Sequence, residues 1–63
     1  MSVFSETLIM LRNRRNMGLQ ELAELLSVSP AHIKRLETDY ASPDDKLLSD
    51  IAAVFEVTPS YLM

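Results

Sequence analysis

Few residues in this chain could do chemistry, and most of them have a simpler explanation. His32 is the only histidine and cysteine is absent, so the usual thiolate zinc sites are excluded and no metal site is expected. The default for His32 is a solvent-facing helix residue. Ser29, His32 and Asp39 bring together the residue types of a hydrolytic triad. A triad needs a substrate pocket, however, and a chain of 63 residues can scarcely form one. Ser29 is also explained as a helix cap. Asp44 and Asp45 resemble a paired carboxylate, yet acidic groups in a first helical turn complement the dipole without any catalysis. Arg14 and Arg15 fit either a phosphate contact or a favourable place at a helix C-terminus. An enzyme has almost no support here, and no cofactor is implied.

What remains is a short basic segment, with Ala31, His32, Lys34 and Arg35 in one stretch. The net charge is −3 and the hydrophobic share 48%, which argues against disorder. Charge is unevenly placed. Up to Leu36 five bases (Arg12, Arg14, Arg15, Lys34, Arg35) face three acids; from Glu37 onward Lys46 stands alone against six. An acidic total is unusual for a nucleic-acid binder, but the positive charge lies in the half that carries this segment. Apolar runs are short, so no membrane partner is expected. No basic segment followed by a long apolar stretch opens the chain, and a cytoplasmic location is expected.

The elements that must position these residues are helices. All three prolines follow a hydroxyl residue, in Ser29-Pro30, Ser42-Pro43 and Thr58-Pro59. A serine or threonine cap followed by proline at the first helical position marks a helix start. Apolar periodicity then predicts five helices: roughly Val3–Arg15, Leu19–Leu26, Pro30 to Glu37 or Thr38, Pro43–Phe55, and a fifth beginning at Pro59. Gly18 is the expected cap of the second, with Glu21 three residues on as half of a capping box. Met10 and Met17 are read as packing residues. No strand is expected, and residues 1–63 read as one all-α domain.

The second and third helices are separated only by Ser27-Val28-Ser29, so they must cross steeply. That is a helix-turn-helix, spanning about residues 19–38. Leu22, Leu26, Val28, Ile33 and Leu36 can close a core between the two helices. The outer face of the third helix is then left exposed and basic.

In Leu8-x-x-Leu11-Arg12, Leu22-Ala23-Glu24, Val28-Ser29-Pro30-x-x-Ile33-x-Arg35-Leu36-Glu37, Pro43, Ile51-Ala52 and Val57, the sequence resembles the lambda-repressor-like family. These are the Cro/C1-type (XRE-like) helix-turn-helix domains of phage and bacterial regulators. The resemblance implies a compact five-helix domain that regulates transcription, usually as a homodimer on a palindromic operator in double-stranded DNA. Carried over by position, Ala31 and Arg35 would read bases in the major groove, with His32 flanking them. Arg35 can make two bonds to guanine and Ala31 can touch a thymine methyl. Ser29, Gln20, Lys34, Thr38 and Tyr40 would approach the DNA backbone. Arg12 and Glu37 match a structural pair tying the first helix to the end of the third.

Where relatives commonly carry glycine, in the turn and after the third and fourth helices, this chain has Ser27, Asp39 and Glu56. Dimerisation follows from the resemblance and from an apolar patch of Val57, Tyr61, Leu62 and Met63. The acidic second half motivates an alternative on the same fold: a protein-interaction module, such as an antirepressor or assembly domain, with a protein partner.

Overall fold

The computed structural model describes residues 2–63. Its α-helices are α1 (Val3–Arg14), α2 (Leu19–Leu26), α3 (Pro30–Glu37) and α4 (Asp45–Phe55), and no strand occurs among the described residues. The expected fifth helix is instead a single 3₁₀ turn, Pro59–Leu62. Its backbone bonds run three residues back, from Tyr61 N–H to Thr58 and from Met63 N–H to Ser60. The Thr58 hydroxyl pairs with Ser60 Oγ at 3.1 Å and caps no backbone N–H. Among the described residues there are therefore four α-helices, not five.

A second correction concerns α4, which starts at Asp45 and not at Pro43. Asp44 caps it, its carboxylate accepting the Leu47 N–H at 2.7 Å. A charged acceptor makes a stronger cap than a hydroxyl, so the helix starts two residues beyond the Ser-Pro pair. Ser29 caps α3 as its sequence suggests, accepting the His32 N–H at 3.1 Å. Ser2 caps α1 in the same way, accepting from Ser5 N–H.

The core gathers residues from every helix: Leu8 and Leu11 of α1, Leu22, Ala23 and Leu26 of α2, Ile33 and Leu36 of α3, and Ile51, Ala52 and Phe55 of α4. Each buried leucine or isoleucine contributes about 1.5–3 kcal/mol by leaving water. Met17 joins this core, whereas Met10 is 40% exposed and does not pack. Leu62 is fully buried, so it fills the core and is not part of an exposed C-terminal patch. That patch reduces to Tyr61 and Met63, with Val57 half-buried.

Each α-helix is closed by a residue in the left-handed region, and none of these is glycine: Asn16, Ser27, Asp39 and Glu56, with φ between 52° and 66°. In every case the next N–H reaches back five residues: Met17 to Arg12, Val28 to Ala23, Tyr40 to Arg35, and Val57 to Ala52. This satisfies carbonyls that the helix end would leave open. It also reverses the chain within one or two residues, which lets α3 follow α2 so closely. A side chain in this conformation costs about 1–2 kcal/mol, least for Asn and Asp.

Two arginines lock the packing. Arg12 donates from Nε to Glu37 Oε2 at 2.6 Å and from Nη2 to Oε1 at 3.1 Å, while Nη1 bonds the Met17 carbonyl at 2.8 Å. One guanidinium thus joins α1, the α1–α2 turn and the end of α3, and the buried Glu37 is fully paired. Arg15 closes the open end of α4, donating to the carbonyls of Val54 and Phe55 at 2.9 and 3.2 Å. Its guanidinium also lies 5.3 Å from the centre of the Phe55 ring.

Candidate nucleic-acid interface

α3 has one side in the core and one in solvent. Ile33, Leu36 and Glu37 are buried, while Ala31, Lys34 and Arg35 are exposed. Ala31, Arg35 and Thr38 follow one another at spacings of four and three, so they line one face, with Lys34 beside it. Lys34 and Arg35 form no ion pair or side-chain hydrogen bond among the described residues, unlike Arg12, Arg15 and Lys46. A pair of uncommitted cations therefore stands on the outer face of a helix whose backbone is fixed at both ends.

The surrounding polar groups are arranged unequally. Ser29 is exposed at the start of α3, its hydroxyl engaged as a cap. Gln20 is exposed in the first turn of α2. That helix begins on Gly18 without a side-chain cap, so its first amides keep no side-chain acceptor. The start of a helix in that condition favours an anion. A Cβ at Gly18 would meet nothing within 4 Å, so packing does not require the glycine. The Thr38 hydroxyl donates to the Lys34 carbonyl at 2.8 Å and keeps only acceptor capacity.

Tyr40 stands apart. At the other three helix ends the residue after the left-handed position is Met17, Val28 or Val57, each buried or half-buried against the core. Tyr40 occupies the same position after α3 and is 84% exposed. A large side chain is left unpacked beside the end of α3. The sequence named Tyr40 only by its position in the resemblance; its exposure comes from the fold.

His32 is placed differently from Ala31 and Arg35. It is half-buried and lines a groove between the α2–α3 turn and α4, together with Val28, Asp44, Lys46 and Asp50. Arg12 and Glu37 lie away from the outer face, as the packing pair already described.

The acidic groups beyond the end of α3 are partly engaged within the chain. The Asp39 carboxylate accepts from the Ser2 N–H at 3.0 Å and the Ser2 hydroxyl at 2.8 Å. The Ser2 hydroxyl bond is the main cause holding its pKa below the ordinary value. On α4 the Lys46 ammonium bonds Asp50 at 2.9 Å, which raises its pKa. Among the described residues no cluster of His, Asp or Glu could hold a metal ion. No helix among them is long and apolar enough to cross a membrane.

A short turn between two crossed helices, the second offering an exposed basic face, defines the helix-turn-helix class of DNA-binding domain. The family comparison agrees. Residues 8–62 match the model of a helix-turn-helix family of the Cro/C1 (XRE-like) type. The chain belongs to that family, whose domains mark DNA-binding regulators. Comparison with curated proteins and with solved structures finds no match.

Proposed function

We propose that this chain is a sequence-specific transcriptional regulator, a repressor that occupies a palindromic operator as a homodimer in the cytoplasm. The observation that carries this reading is the outer face of α3, where Lys34 and Arg35 are exposed and uncommitted. Arg35, with Ala31 one turn before it, reads base edges in the major groove. Lys34, Gln20, Ser29, Thr38 and Tyr40 contact the backbone and set register. His32 reaches the groove edge from the α4 side. Two copies would address half-sites about 34 Å apart, and bound protein would block the promoter. The amides at the start of α2 add a phosphate contact without a charged side chain.

A second reading has its own observation. Asp44 and Asp45 stand at the start of α4, and the chain is acidic overall. That charge opposes phosphate and would favour a protein partner carrying a basic surface. The two readings separate in one experiment: selection of bound fragments from random duplex DNA at low salt, followed by salt titration of the enriched sequences. The regulator reading expects an enriched palindrome whose affinity falls as salt rises, by counterion release. A folded protein that enriches no sequence would rule out the regulator reading and leave the protein-interaction reading standing.

A further inference from the structure

Pro30 and Ala31, the two residues that open α3, are exposed and carry no hydrogen-bonding side chain. The polar side chains beside them are engaged or sit elsewhere. Ser29 is the cap, its hydroxyl accepting the His32 N–H, and His32 is half-buried along the groove beside α4. The first turn of α3 therefore offers a base edge apolar surface and little else. In the major groove the apolar group on a base edge is the C5 methyl of thymine. Cytosine bears hydrogen at the same ring position, and 5-methylcytosine restores the methyl without altering base pairing.

Arg35 follows Ala31 by four residues, so the two lie on one face a turn apart, and both are exposed. Long side chains on a helix lean towards its N-terminus, which carries the Arg35 guanidinium over the turn that holds Ala31. Its side chain forms no ion pair or hydrogen bond among the described residues. A guanidinium bonded to the O6 and N7 of guanine then lies beside whatever Ala31 touches. One face thus joins a guanine reader to an apolar contact on the adjoining base pair.

We propose that α3 reads a guanine together with a pyrimidine C5 methyl on the adjoining base pair, and binds 5-methylcytosine there in preference to cytosine. Arg35 takes the guanine and Ala31 packs against the methyl. Cytosine methylation at that step strengthens binding, so the modification state of the operator becomes an input to the regulator. One methyl changes affinity about four-fold, the equivalent of about 0.8 kcal/mol for a buried CH₂ group. This inference rests on the DNA-binding reading.

The test measures fluorescence anisotropy on a duplex enriched by selection from random DNA. Deoxyuridine replaces, one at a time, each thymine whose base pair adjoins a G·C pair, which removes the methyl and nothing else. Cytosine and 5-methylcytosine are then compared at the most sensitive position. There the loss of the thymine methyl should weaken binding about four-fold, and 5-methylcytosine should bind about four-fold tighter than cytosine. Ala31→Gly removes the side-chain methyl at a small cost in helix stability. It should bring both differences below two-fold in a protein that thermal melting shows to be folded. No position sensitive to deoxyuridine, equal binding of cytosine and 5-methylcytosine, or a full methyl preference in Ala31→Gly would overturn the proposal and leave the regulator reading standing. Failure to bind any duplex would overturn the regulator reading, and the methyl preference with it.

Discussion

Arg12 and Arg15, near the end of α1, and the cations of α3 are the same kinds of residue, yet the fold treats them oppositely. Arg12 is committed before any ligand arrives, with a donor from each of its three nitrogens on the oxygens of Glu37 and the Met17 carbonyl. Arg15 caps α4. Lys34 and Arg35 hold no such partners among the described residues and face water. A buried charge that is fully paired fixes geometry and has nothing left for a ligand. An exposed unpaired charge contributes little to stability and keeps its full capacity for one. The acidic net charge of the chain is therefore a poor guide to what α3 can do.

The largest effect is expected at Arg12. Arg12→Ala strands the Glu37 carboxylate, whose side chain is only 8% exposed, and is expected to cost about 3–5 kcal/mol. A domain of this size has a total stability of about 3–9 kcal/mol, so the variant should lose a large share of it, read by urea titration with far-ultraviolet circular dichroism. A loss under 1 kcal/mol, read from the urea midpoint and slope, would mean that the pair is dispensable.

A gain of stability should follow from the helix ends. Ser27→Gly and Glu56→Gly relieve side chains held at positive φ and are each expected to add about 1 kcal/mol. Asp39→Gly should not, because it also removes the bonds from Ser2. Thermal melts of the three variants check the ordering.

Lys34→Ala sharpens the other side of the comparison. Stability should hold, while binding to selected and random DNA weakens alike and the slope of log affinity against log salt falls by about one. Loss on the selected sequence alone would reassign Lys34 to base reading.

The smallest expected effect is in acid. Asp39 has a folded pKa below its ordinary value of 3.8, so the unfolded chain binds its proton first as pH falls. Its contribution is present above that ordinary value and is lost as pH falls through the lower, folded pKa. Asp39→Asn should make stability less steep in this acid range. An identical acid limb in both proteins would contradict the Ser2–Asp39 link.

Much of the fold is legible in the sequence because it depends on local signals. Apolar spacing gives the helices, and Ser29-Pro30 marks the start of α3. The same dipeptide logic fails at Ser42-Pro43 because a carboxylate two residues on competes for the cap. Thr58-Pro59 has the sequence of a helix start, but the Thr58 hydroxyl turns to Ser60 and only one tight turn forms. The left-handed residues after α2, α3 and α4 could be located only by resemblance, from where relatives carry glycine. Asn16 gave no such signal. By sequence Arg15 fits either phosphate or the end of its own helix; the carbonyls it bonds, at the end of α4, lie 39 and 40 residues away. Residue type names the candidates on α3, but only packing shows that Arg35 is uncommitted and Tyr40 unpacked.

The most direct test of the central claim is the affinity of Arg35→Ala for a selected operator and for random duplex DNA of the same length, with thermal melting as control. Unchanged melting is expected, with a loss of about 1–3 kcal/mol on the operator, relaxed preference at one base pair, and a much smaller loss on random DNA. Equal losses on both duplexes, or no loss on either, would contradict the assignment of α3 as the reading face.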